Sequence, residues 1–266
     1  MLHAGNGHLA MGDARMDYIV FGRGEKHLIM LPGLGDGLLT VRGKALPFAL
    51  LYRMYAKHFR VWMFSRKLPL PRGHTTRDMA HDLKAAMDLL GIPKAHIYGV
   101  SMGGMIAQYM AIDHPERVDK LVLAVTTPKA DPMLKGNLAA WMDMARRGDY
   151  AALMTDNMEK MYTEGYLRRN RWALPLTTRV GKPGSFDSFL IQAEACMTHD
   201  AQGRMGEITA PTLVLGGAQD HTLDPRGSRQ LAQAIRGSHL HLWSDYGHAA
   251  YDEAKDFDAR ILDFLK

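Results

Sequence analysis

Cysteine is nearly absent from this chain: Cys196 is the only one in 266 residues, so no intrachain disulfide can form. Its surroundings, Ala193-Glu194-Ala195-Cys196-Met197, read as a helix that packs the thiol, not as the setting of a nucleophile. Also missing is any apolar run close to the roughly 18 residues that a membrane helix needs, so no membrane span is expected. The first residues, Met1 to Asp17, lack a basic segment followed by an apolar one and do not read as a secretory signal, which makes the cytoplasm the expected location.

Cofactor motifs are absent as well. There is no G-x-x-x-x-G-K-[ST] and no H-E-x-x-H, and the glycine loop Gly33-Leu34-Gly35-Asp36-Gly37 fails as a dinucleotide fingerprint because Leu38 stands where the third glycine belongs. His239 and His241 share one strand face, but two histidines alone are ordinary side chains, not a metal site. No cofactor and no metal are expected. The net charge of +5 arises from basic residues mostly interleaved with acids, and no nucleic-acid motif accompanies it.

What the chain does have is alternation. Tyr18-Ile19-Val20-Phe21 and His27-Leu28-Ile29-Met30-Leu31 are short apolar runs around Gly22-Arg23-Gly24-Glu25, the pattern of a hairpin with a glycine turn. A helix is expected over Leu46–Tyr55, a strand over Val61–Phe64, and a helix over Thr76–Leu90 with Met79, Leu83, Met87 and Leu90 on one face. The strand His96–Val100, the helix Met102–Asp113 and the strand Lys120–Val125 follow. Helices acting as crossovers between buried strands imply a parallel sheet covered on both faces. From about Thr127 to Met205 strand-like runs give way to helical segments rich in Met, Trp and Tyr. The sheet resumes with Pro211–Gly217, a helix over Arg226–Ile235, the strand Leu240–Trp243 and a terminal helix over Asp252–Leu265.

Gly99-Val100-Ser101-Met102-Gly103 matches G-x-S-x-G and lies where a buried strand runs straight into a helix, the context that motif requires. Ser101 is the candidate nucleophile, exposed at the N-terminus of a helix whose dipole favours developing negative charge. A serine hydroxyl attacks at neutral pH only when a positioned base takes its proton. His248, in the loop after the last strand, sits at the same sheet edge as Ser101 and is the candidate base. Asp220, after the strand ending at Gly217, is the candidate acid that holds the histidine tautomer, giving the chain order Ser, Asp, His. Its rivals are Asp245 and Asp224, the latter placed to begin the helix after Pro225. An oxyanion hole needs two preorganised N–H donors; Met102, next after the nucleophile, and Leu34, in the loop after the strand ending at Leu31, are the candidates.

Together these pieces resemble the α/β-hydrolase superfamily, in the manner of a cap-bearing, esterase- or lipase-like member. The landmarks are Leu31-Pro32-Gly33-Leu34-Gly35, Gly99-Val100-Ser101-Met102-Gly103-Gly104, His114-Pro115-Glu116-Arg117-Val118, Gly217-Ala218-Gln219-Asp220 and Gly247-His248, in the family's order. The resemblance implies a mostly parallel sheet of about eight strands flanked by helices, with a core formed by residues 1–126 and 206–266 and a helical cap at 127–205. The chain departs from many members in having Pro32-Gly33 where they have His-Gly, and Ser65-Arg66-Lys67-Leu68-Pro69-Leu70-Pro71-Arg72-Gly73-His74 where they have D-x-R-G-x-G-x-S.

The same machinery cleaves esters, thioesters, some amides and activated carbon–carbon bonds, because each passes through an oxyanion. A carboxylic ester of a small to medium, largely apolar molecule is the first expectation, since its leaving group asks least of the site. Met133, Met142, Met144, Met154, Met158, Met161, Trp141 and Trp172 suggest an apolar pocket, with Gly33, Trp141 and Met144 touching substrate. Lys160, Arg168, Arg169, Arg171, Arg179 and Lys182 face only Glu164 in their segment, which offers an acidic carrier or a CoA ester as the alternative to a solvated helix face. Carbon–carbon hydrolysis and a ligand-receptor role are the remaining alternatives.

Overall fold

Leu28 and Met30 pack into one buried cluster while Ile29 and Leu31 between them pack into another, so a single strand feeds cores on both faces of a sheet. The computed structural model describes residues 3–170, 172 and 181–266. Its strands are β1 Gly5–Met11, β2 Ala14–Phe21, β3 Lys26–Leu31, β4 Phe59–Phe64, β5 Ala95–Val100, β6 Val118–Ala124, β7 Thr212–Gly217 and β8 His239–Trp243. They form one eight-stranded sheet in the order β1-β2-β4-β3-β5-β6-β7-β8. The β1–β2 and β2–β4 pairs are antiparallel and the others parallel. The fold is thus the expected mostly parallel, helix-flanked sheet.

The helices are α1 Ala45–Leu51, α2 Arg53–Ala56, α3 Thr76–Leu89, α4 Met102–Asp113, α5 Pro132–Arg146, α6 Tyr150–Met161, α7 Glu164–Asn170, α8 Asp187–Met197, α9 Arg226–Ala234, α10 Ala250–Glu253 and α11 Phe257–Leu265. A capping box joining Thr75 and Asp78 starts α3. α4 is buried from Met102 through Ile112. Its one long polar side chain, Gln108, is satisfied by the Thr127 carbonyl and by the His199 ring. α5 to α8 all fall between β6 and β7, within the segment 127–205.

Three expectations about elements need correction. The runs around Gly22–Glu25 do not pair as a hairpin, because β4 lies between β2 and β3. The glycines instead let the chain cross the start of β4: a Cβ on Gly22 would strike the Phe59 carbonyl, and one on Gly24 the His58 carbonyl. The hairpin is β1–β2, turning at Gly12 with φ of 62°. The expected helix over Leu46–Tyr55 breaks at Tyr52, which leaves helical geometry at ψ 28°. The terminal helix likewise breaks at Ala254, whose backbone is extended. There Glu253 is held by the Thr163 N–H and hydroxyl, while Phe257, Ile261 and Leu265 turn onto the sheet.

No helix among the described residues is long and apolar enough to cross a membrane.

Candidate active site

Ser101 caps α4 with φ 55° and ψ −119°, a conformation costly for any residue with a Cβ. Its surroundings over-determine that geometry. The Ser101 N–H donates to the Ala124 carbonyl at 2.8 Å, and its own carbonyl accepts from the Thr126 hydroxyl at 2.8 Å and the Gly104 N–H at 2.8 Å. Gly99 and Gly103 are small because the turn is tight. A Cβ on Gly99 would overlap the Gly103 carbonyl, and one on Gly103 would overlap the carbonyl of Leu31 at the end of β3.

His248 Nε2 lies 3.0 Å from Ser101 Oγ, and His248 Nδ1 lies 2.7 Å from Asp220 Oδ2. The other Asp220 oxygen accepts the N–H groups of Thr222 at 2.8 Å and Leu223 at 3.1 Å, so the carboxylate is fixed in rotation as well as position. Both His248 and Asp220 are almost wholly buried, whereas Ser101 is half-buried and opens to a cavity. Gly217 brings the two loops together: a Cβ there would collide with the carbonyls of Tyr246 and Gly247. The rival acids are elsewhere. Asp224 accepts the Arg226 N–H at 2.9 Å at the start of α9, the structural role its position suggested, and Asp245 is exposed beside Ser244.

Leu34 and Met102 each open a helix, the former a short 3-10 turn over Leu34–Gly37 and the latter α4. The N–H groups of a first turn have no intrahelical acceptor, so neither is used within its own helix. Gly33 lies against Ser101, within 3.4 Å of its Cβ were a methyl added.

A cavity of about 350 Å³ opens at Ser101 and His248, lined mainly by apolar and aromatic groups that include Leu34, Val41, Phe48, Tyr52, Tyr98 and Tyr251. Burial raises the Tyr52, Tyr98 and Tyr251 phenols above their ordinary range, so they stay protonated. Gly33 and Trp141, two of the candidate substrate contacts, line it, and α6 adds Asn157 and Met161. Met144 does not: it is one turn further along α5 than Trp141 and packs against the main core instead. Trp141 is oriented by a bond from its Nε1 to Asp156 Oδ2 at 2.6 Å.

Residues that sequence reasoning did not single out complete the lining, notably Asp36 and Lys44. No local pattern announces them, because both reach the cavity only through the path of the loop from Pro32 to Lys44. Cys196 is buried and its thiol is pushed up to about 12 by burial, consistent with a packed side chain. Of the basic run in the insertion, Arg168 and Arg169 are exposed on α7, Lys160 is paired with Asp156 at 2.6 Å, and Lys182 borders a separate surface hollow. Arg171 and Arg179 lie outside the described residues.

A sequence profile of the alpha/beta hydrolase fold matches residues 26–255. The chain belongs to the α/β-hydrolase fold family. Among characterised α/β hydrolases, a 2-hydroxy-6-oxononadienedioate/2-hydroxy-6-oxononatrienedioate hydrolase of Pseudomonas putida is 29% identical over 269 residues, covering 96% of this chain and 92% of that protein. A 2-hydroxy-6-oxo-6-phenylhexa-2,4-dienoate hydrolase of Comamonas testosteroni is 29% identical over 198 residues, covering 70% of this chain and 68% of that one. The crystal structure of the enol-lactonase from Burkholderia xenovorans LB400 superposes with a TM-score of 0.81 at 23% identity, covering 97% of this chain and 99% of that one, a likeness of fold.

Proposed function

We propose that this α/β hydrolase uses Ser101 as nucleophile, His248 as base and Asp220 as the orienting acid, and that it cleaves an activated carbon–carbon bond beside a ketone. The observation that carries the reading is the unbroken relay from Asp220 through His248 to Ser101 at the head of a largely apolar cavity. The ester expected from sequence gives way to the carbon–carbon alternative because relatives matching 96% and 70% of the chain are hydrolases of 2-hydroxy-6-oxo dienoic acids.

In such an acid the bond to be broken joins C5 to the C6 ketone. Ser101 Oγ adds to C6 as His248 Nε2 takes its proton, and the resulting oxyanion meets the N–H groups of Leu34 and Met102. When the substrate is in its 2-keto tautomer, the departing electron pair on C5 spreads through the C3–C4 double bond to the C2 ketone. His248 returns its proton to that fragment. Water, deprotonated by the same histidine, then releases the acyl group from Ser101 as a carboxylic acid. One water is consumed, and the C–C bond is replaced by one C–H and one C–OH bond.

An ester passes through the same two oxyanions, so ester hydrolysis is the second reading, favoured by the same relay. The acidic-carrier alternative has less behind it, since neither Arg168 nor Arg169 lines the cavity. The test is to follow the loss of the dienol absorbance of 2-hydroxy-6-oxo-6-phenylhexa-2,4-dienoate and the appearance of benzoate, beside hydrolysis of 4-nitrophenyl butyrate. Carbon–carbon hydrolysis is expected to have the higher kcat/KM, and Ser101→Ala to abolish both. Turnover of the ester alone would move the assignment to an esterase.

A further inference from the structure

The cavity is not uniformly apolar. Along the loop from Pro32 to Lys44 it is bordered by two charged side chains, Asp36 and Lys44. Asp36 is 6% exposed, and its Oδ2 accepts the Arg66 N–H at 2.8 Å. The Arg66 guanidinium is itself buried at 5% exposure and donates to the Pro32 and Phe64 carbonyls. Burial raises the Asp36 carboxyl, and the nearby Arg66 charge opposes that rise most strongly. Lys44 acts on the same carboxyl in the same direction, more weakly than Arg66.

Lys44 follows Gly43, whose φ of 77° turns the chain, and it stands at the start of α1, half-buried with Val41, Phe48 and Tyr52 lining the same space. Among the described residues no carboxylate lies within the 4.0 Å of an ion pair to its ammonium, and its side chain makes no hydrogen bond. The charged groups that line this part of the cavity are Lys44 and Asp36, one of each sign. Burial lowers the Lys44 ammonium, with Asp36 holding it up. A half-buried ammonium beside a substrate cavity, with no hydrogen bond and no ion pair of its own, is set to receive an anion.

We infer that Lys44 is the anion subsite of this cavity and selects substrates carrying a carboxylate remote from the carbonyl that Ser101 attacks. This rests on the Ser101 reading above and adds which side chain receives the carboxylate that such acids carry. The lysine presents a compact charge with three donors, which suits a carboxylate arriving in more than one orientation. The apolar wall formed by Val41, Phe48 and Tyr52 takes the chain that links the two ends.

The test uses two six-carbon acyl esters, mono-4-nitrophenyl adipate and 4-nitrophenyl hexanoate, which differ in one terminal carboxylate. The readout is the ratio of kcat/KM for the anionic ester to that for the neutral one. Lys44→Met is expected to lower this ratio roughly 10- to 100-fold, the worth of a hydrogen bond to a charged group. Lys44→Glu is expected to lower it further, and Lys44→Arg to retain most of it. A ratio unchanged in Lys44→Met overturns the subsite. A second arm does not need turnover: calorimetric binding of the adipate monoester to Ser101→Ala, with and without Lys44→Met. Binding weakened at least tenfold by Lys44→Met supports the subsite, and equal binding overturns it. If the wild type turns over neither ester nor the dienoate, the Ser101 reading fails while this arm still decides the role of Lys44.

Discussion

His248 Nδ1 and Asp220 Oδ2 stand 2.7 Å apart with both side chains buried, and two backbone N–H groups hold the other oxygen of the carboxylate. This pairing fixes which histidine nitrogen carries the proton and so leaves Nε2 as the acceptor facing Ser101. Asp220→Asn keeps the shape but removes the charge and permits the wrong tautomer. A fall in kcat of about 10⁴-fold is expected by analogy with the corresponding change in serine proteases. Asp224→Asn, at the start of α9, is expected to stay within a few-fold of wild type. Steady-state kinetics of the two variants on one substrate check the assignment of the acid.

The tight approach of the nucleophile turn to β3 leads to a contrast between two glycines. Gly103→Ala puts a methyl into the Leu31 carbonyl, a backbone group that cannot swing aside, and a loss of about 3 kcal/mol or more is expected. Gly136, exposed within α5, has nothing within 4 Å of an added Cβ. Gly136→Ala is expected to stabilise the protein by about 0.5–1 kcal/mol, because a helix interior prefers alanine. Urea denaturation of both variants tests the pair.

Much of this was legible before any coordinates, and the reasons are local. Gly99–Gly103 needs its small residues for a turn that the sequence itself displays, and Asp220 and His248 follow strands whose apolar runs are unmistakable. The mistakes came where partners are distant in sequence. β1 alternates half-buried and exposed residues over GNGHLAM and carries two glycines, so it lacks the apolar signature of a strand and is held by pairing with β2. The order of β2, β4 and β3 depends on a chain crossing that no local pattern encodes. Met144 and Trp141 are equally apolar, and only the packing of α5 decides which one meets the cavity. Lys44 has no motif at all; its meaning comes from its place on the cavity wall with no ion pair of its own, which is a tertiary fact.

Stability should depend on pH through His199. It is buried between Thr76 Oγ1 at 2.9 Å and Gln108 Oε1 at 3.1 Å, and burial lowers it from 6.5 to about 4, with Asp200 opposing. In the unfolded chain it regains its ordinary range. Between about pH 6.5 and pH 4 the unfolded state therefore binds more protons, so stability is full above that window and falls as the pH drops through it. The contribution lost between pH 7.5 and pH 5 is about 2 kcal/mol. Chemical denaturation at these two pH values is expected to show a smaller pH effect in His199→Gln than in wild type.

The most direct test of the catalytic assignment is covalent capture of the nucleophile. Wild-type protein treated with a fluorophosphonate and examined by intact mass, then by peptide mapping, is expected to gain one adduct on Ser101. Ser101→Ala should gain none, and His248→Ala should react at least about 10²-fold more slowly, since the base is what activates the hydroxyl. An adduct on another residue, or labelling of Ser101→Ala at the wild-type rate, would contradict Ser101 as the nucleophile.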